Sequence, residues 1–196
     1  MNSSTYFLAA SLSSKVNVNS VDNNGNTSLH YSCLNGHIKV VEFLISINEI
    51  QLSIINKIGH SPIMDAVESK NIPIFQLLLN NIDEYNTTTK EGNTLVIESI
   101  INDSFEILKI LCNNNNVDIF RKNHNGWNPI HFASQLGNIA VLDYLLTKGR
   151  DYYFEENNRG QTPFEISIIW KKENSFLYFL EFDETEINHQ DKDGNT

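Results

Sequence analysis

With 196 residues, 40% of them hydrophobic and 19% charged, the chain has the composition of a folded protein, long enough for one domain with a substantial core or for two small ones. Its 14 Lys and Arg stand against 24 Asp and Glu, and the formal net charge of -10 repels polyanions and anionic lipid, which excludes nucleic acid and membrane surfaces as partners of the domain as a whole. No apolar run approaches the ~20 residues of a membrane helix, no basic segment precedes the short apolar patch at the start, and two cysteines, Cys33 and Cys112, suit a reducing compartment, so a cytoplasmic protein is expected.

Gly25, Gly59, Gly92, Gly126, Gly160 and Gly194 recur at intervals of 34, 33, 34, 34 and 34 residues, and two positions after each stands Thr27, Ser61, Thr94, Asn128, Thr162 or Thr196. Two columns that stay in phase through six turns define a repeat. Residues 6–11 lie in register with its second helix, so residues 1–21 are expected to form an N-terminal half-repeat cap. Five repeats follow at 22–55, 56–88, 89–122, 123–156 and 157–190. In each, the small polar residue is a helix N-cap, and Pro62, Pro129 and Pro163 occupy the first helical position, where a missing N–H does no harm.

The first helix of each repeat is expected to run about two turns. It ends near Gly36 and Gly137 in two repeats, and near Lys70, Asp103 and Lys171 in the others, where the absence of glycine predicts less favourable turns. The second helix carries apolar residues at helical spacing, as in Val40, Val41, Phe43 and Leu44, in Ile74, Phe75, Leu78 and Leu79, and in Val141, Leu142, Leu145 and Leu146. Faces this wide must be covered on two sides, so neighbouring repeats stack and share a core. In the fifth repeat, Lys171-Lys172-Glu173-Asn174-Ser175 predicts a poor start to the second helix, one that frays or shifts. The 28 asparagines fall mainly where turns are expected. Residues 191–196 open a sixth repeat, and the natural chain is expected to continue past Thr196.

Ser61-Pro62-Ile63, Asn128-Pro129-Ile130-His131, Thr162-Pro163-Phe164 and Gly36-His37, set at this period, resemble the ankyrin repeat with its Thr-Pro-Leu-His and Gly-His elements. The third repeat departs most: Thr94-Leu95-Val96-Ile97 lacks the proline and histidine, and Ser99 stands where Ala is usual. The resemblance implies an all-α solenoid of about five helix–turn–helix repeats with projecting β-hairpin loops, forming a single domain over residues 1–196. It further implies a protein–protein interaction module, the N-terminal part of a larger regulatory or scaffold protein, with no cofactor, binding its partner in a concave groove.

The residues themselves offer little chemistry. His30 and Cys33 are three apart on one helix, a spacing that suits two metal ligands, but no further Cys or His closes such a site, and a small-hydrophobe role for Cys33 is expected. For His131 the resemblance implies a structural hydrogen-bonding role. No nucleophile–base pair and no phosphate loop is present in the sequence, so no enzyme is expected. An intramolecular regulator of an attached catalytic domain, such as a kinase or GTPase regulator, is the alternative, and a metal-dependent enzyme the remote one.

Binding then falls to the variable columns. They hold Asn23, Asn24 and Asn26 in the first repeat and Lys57, Ile58, His60, Glu68 and Ser69 in the second. The last two repeats place both tryptophans there, beside an arginine, and these residue types dominate interface energetics. The expected partner-binding set is His124, Trp127, Leu136, Arg159, Gln161, Ile169 and Trp170, for a protein partner rather than a small-molecule substrate, on a monomer.

Overall fold

In the computed structural model, which describes residues 17–82, 85, 87–182 and 192, every N-cap read from the five complete repeats starts a helix. The chain divides into two compact units, residues 1–90 and 91–196. The first holds α1 (Ser28–Leu34), α2 (Ile38–Ile45), α3 (Pro62–Glu68) and α4 (Ile72–Leu79). The second holds α5 (Leu95–Ile101), α6 (Phe105–Cys112), α7 (Pro129–Leu136), α8 (Ile139–Lys148), a 3₁₀ turn (Arg150–Phe154), α9 (Pro163–Ile169) and α10 (Glu173–Phe182). Among the described residues there is no sheet, and the architecture is an all-α array of helix–turn–helix pairs. The expected cap over residues 1–21 and the sixth repeat over 191–196 lie, apart from residues 17–21 and 192, outside the described residues.

The caps show why the helices begin where they do. Thr27, Thr94 and Thr162 accept hydrogen bonds from the amides of His30, Ile97 and Glu165, and Asn128 accepts from those of Ile130 and His131, which satisfies amides with no intrahelical partner. The turn that ends each first helix is left-handed. Gly36 (φ 71°) and Gly137 (φ 79°) adopt it without a side chain to clash, while Lys70, Asp103 and Lys171 hold φ of 54°, 51° and 54°. The turns expected to be less favourable are therefore strained ones. The second helix of the fifth pair differs from expectation: α10 starts at Glu173 and runs ten residues, as long as α8, because Phe179 is buried while the lysines stay outside the helix.

Packing follows the pairs. In the first unit α1 lies against α3 and α2 against α4; in the second α5 contacts α7, α7 contacts α9, and α8 contacts α10. Leu29, Val41, Ile74, Phe75 and Leu78 are fully buried in the first core, and Leu108, Leu111, Ile130, Leu142 and Leu145 in the second.

The loops that carry the glycine column are held from both sides. Asp22, Asn56, Asn123 and Asn157 each stand three residues before the glycine, and the Oδ1 of each accepts two loop amides, for Asn123 those of Asn125 and Trp127 at 3.0 Å. Successive tips also bond to each other: the Lys57 amide donates to the Asn24 carbonyl (2.8 Å), His124 to Glu91 (3.0 Å) and Asn158 to Asn125 (3.0 Å). Gly126, at φ 76°, sits at such a junction, and a Cβ there would come within 2.5 Å of Asn158 Oδ1 and 2.7 Å of its amide nitrogen. The glycine is required by backbone angle and by the approach of the next loop together.

Two outcomes follow. Leu78→Ala and Leu145→Ala, each opening a cavity at a fully buried position, should each destabilise by roughly 2–5 kcal/mol in denaturant unfolding. Lys171→Gly, which relieves a left-handed lysine that is exposed, should raise stability by about 0.5–1 kcal/mol, and an unchanged or lower unfolding midpoint would contradict the strain.

Candidate protein-binding face

One buried imidazole fixes the loops of the second unit. His131, on the first turn of α7, accepts the amide of its own N-cap Asn128 on Nδ1 (3.2 Å) and donates from Nε2 to the carbonyl of Gln161 in the following loop (3.1 Å). It is fully buried, and that burial, outweighing its bond to Gln161, holds it neutral with a pKa pulled down to about 4. In the first unit His30 repeats the arrangement, with Thr27 at Nδ1 and the carbonyl of His60 at Nε2 (3.1 Å). The histidine thus joins the cap of one helix pair to the loop of the next.

On this frame the residues expected to bind a partner separate into two kinds. His124 and Arg159 stand exposed on successive loop tips, with the His124 ring lying over the open face of Gly92. Leu136 closes α7 and is 44% exposed, while Ile169 closes α9 and Trp170 caps it, both more than half exposed. Covering apolar side chains of this size would add stabilisation of about 25 cal/mol per Å² of apolar surface removed from water. Trp127 and Gln161 are half-buried. The Trp127 ring packs against His131 and Phe132, with centroids 5.7 and 5.1 Å away. Gln161 is drawn inward, its Oε1 accepting from Asn157 Nδ2 (3.0 Å) and its carbonyl from His131. Ile168, the neighbour of Ile169 in sequence, is also exposed, lies with Lys171, Lys172 and Phe176, and was outside the expected column.

The first unit has a different constellation. Cys33 is buried beside His30, but burial chiefly, with the charge of Asp65 adding to it, pushes its thiol up to about 12, so it offers no thiolate. Burial likewise raises Cys112, to about 11. His60, Asp65 and Glu68 converge instead, three donors within 4.8 Å of one another. Their His-x₄-Asp-x₂-Glu spacing is visible in the sequence, but it becomes a cluster only because α3 starts one residue after the loop ends. Among the described residues no helix is long and apolar enough to cross a membrane.

Comparison with known proteins gives matches at three overlapping stretches, residues 2–89, 63–156 and 120–193, to the family described as ankyrin repeats (3 copies). The Notch-regulated ankyrin repeat-containing protein of Xenopus tropicalis is 32% identical over 90 residues, which make up 44% of this chain and 78% of that protein. Alpha-latrocrustotoxin-Lt1a of Latrodectus tredecimguttatus is 26% identical over 121 residues, 61% of this chain but 8% of the toxin. The human 2-5A-dependent ribonuclease is 29% identical over 79 residues, 40% of this chain and 10% of that protein. Two of these three relatives are thus far longer than the stretch they share.

The buried histidine sets a pH response. In the unfolded chain an ordinary imidazole takes up its proton near 6.5, whereas folded His131 does so only near 4. Between these values the unfolded state binds more protons, so stability is full above 6.5 and falls as pH drops toward 4, by about 3 kcal/mol in all for this group. Urea midpoints measured across that window should fall steeply for the wild type and markedly less for His131→Gln; parallel curves would show that His131 is not held neutral.

Proposed function

Since the chain belongs to the ankyrin-repeat family, whose repeats are protein-interaction modules and typically non-catalytic, we propose that it binds a protein partner through the loop tips and first-helix ends of its second unit. The observation that carries this reading is the exposure of Leu136, Ile169 and Trp170, each more than two-fifths exposed at the ends of α7 and α9, in a unit that also exposes Arg159 in an otherwise acidic chain. A backbone already bonded between loops presents these groups with little further backbone ordering at binding, leaving the side-chain rotamers to be fixed, and Trp and Arg are the residues on which interface energy concentrates. The role is that of a regulatory or scaffold module in the cytoplasm, acting as a monomer. The match to one-tenth of a ribonuclease supports a second reading, in which such an array regulates an attached catalytic domain.

The test compares equivalent loops. With a partner captured by cross-linking, Trp127→Ala and Arg159→Ala should each weaken binding by about 1–4 kcal/mol, while Asn23→Ala and Asn24→Ala should do far less. Circular dichroism must first show an unchanged fold, since Trp127 also packs on His131. If the asparagines matter and the Trp–Arg pair does not, the binding face lies elsewhere.

A further inference from the structure

The loop that precedes α3 gathers a donor set that the partner-binding face does not use. His60 stands immediately before the N-cap Ser61, and Asp65 and Glu68 are three apart on α3, so a single helical turn brings both carboxylates to the imidazole. His60 Nδ1 lies 3.3 Å from Asp65 Oδ1 and 3.7 Å from Glu68 Oε2. The imidazole is held from behind: the His60 amide donates to Asn56 Oδ1 (2.9 Å), and its carbonyl accepts from the Asn56 amide (2.9 Å) and from His30 Nε2 (3.1 Å).

Two independent features point to a ligand. The first is distance. A charge-assisted N–H···O bond closes to about 2.7–2.9 Å, and both contacts exceed it. Nitrogen and oxygen ligands about 2.0–2.1 Å from a tetrahedral zinc ion stand about 3.3–3.4 Å apart; His60 and Asp65 keep that spacing, and Glu68, at 3.7 Å from the imidazole and with all three donors inside 4.8 Å, reaches it by a small side-chain adjustment. The second is charge. The Asp65 side chain is 6% exposed, yet among the described residues no Lys or Arg pairs with it or with Glu68. A carboxylate so deeply placed needs more compensation than one imidazole provides. Its field is felt in the core, where it adds to burial in raising the Cys33 thiol.

We propose that His60, Asp65 and Glu68 bind a divalent transition-metal ion of the zinc class, with the fourth position open to solvent beside the half-exposed Glu68. One imidazole and two carboxylates suit zinc, whereas calcium takes six to eight oxygen ligands and magnesium keeps an octahedral oxygen shell. The ion neutralises the buried carboxylate and ties the loop to α3, so binding is linked to stability of the first unit. All three donors lie in the first unit, and none of them belongs to the partner-binding face.

The experiment uses the full chain, stripped with chelator and then titrated with zinc by calorimetry, with cobalt as an absorbing substitute and magnesium as control. One zinc should bind per chain with a dissociation constant of about 10 µM or lower and raise the thermal midpoint, and cobalt should develop the visible absorption of a tetrahedral site. Magnesium should do neither. His60→Asn and Glu68→Gln should each weaken zinc binding about 10-fold or more with unchanged circular dichroism. Asp65→Asn is not relied on, because its burial makes misfolding a competing outcome. Absence of zinc binding at about 100 µM, or binding that both variants leave untouched, would overturn the proposal.

Discussion

Everything in this fold depends on how closely one loop can approach the next. At the junctions of Gly25, Gly92 and Gly126, an amide of the later loop donates to the carbonyl just before the glycine of the earlier one, as from Asn158 to Asn125. The bond forms because no Cβ stands between the strands of chain; at Gly59, Gly92 and Gly126 a methyl would lie within 2.6 Å of the following loop. A period of 33 or 34 residues is therefore set by backbone contact at one end of the repeat as much as by the leucine core at the other. The histidines at 30 and 131 add a second bond across the same junction, from the helix cap to a carbonyl one residue past the glycine.

This double fastening explains how the third repeat manages without the usual proline and histidine. Thr94 still caps α5 through the Ile97 amide, and Asn93 Nδ2 donates to Glu98 on the helix while its Oδ1 accepts from Asn123 Nδ2 of the next loop (2.8 Å). An asparagine side chain thus takes over the joining task that an imidazole performs elsewhere. The same pairing recurs between Asn56 and Asn26. The asparagine enrichment has a structural meaning here: these amides donate and accept at once, and a junction of two loops has both kinds of group to satisfy.

Most of the architecture was legible in the sequence because its signals are local and repeated. The N-caps, the prolines at the first helical position and the left-handed turns each depend on a few neighbouring residues, and six glycines in phase multiply the signal. What escaped was decided by contacts at a distance. The start of α10 looked poor from Lys171 to Ser175, yet burial of Phe179 sets the helix regardless. Gln161 looked like a free groove residue until Asn157 and His131 were seen to hold it. The cluster of His60 with Asp65 and Glu68 was equally hidden, since only the angle between loop and helix brings three ordinary residues together.

The two candidate sites share an origin in register. His60 occupies the column of Trp127, one residue past the glycine, and Glu68 occupies that of Ile169, seven residues after the cap. The framework fixes where these two columns point, by starting the helix between them at a fixed step and bonding the loop behind them, and leaves their chemistry open. In the second unit the first column holds Trp127 in the fourth repeat and the second column holds the half-exposed Ile169 in the fifth, side chains that suit an apolar protein surface. In the first unit the two columns carry an imidazole and a carboxylate, with Asp65 buried between them, which suit a cation. The framework thus places the columns and the side chains in them determine which chemistry is offered: His60 and Glu68 share one repeat and can face one ligand together, whereas Trp127 and Ile169 belong to successive repeats and offer separate apolar contacts.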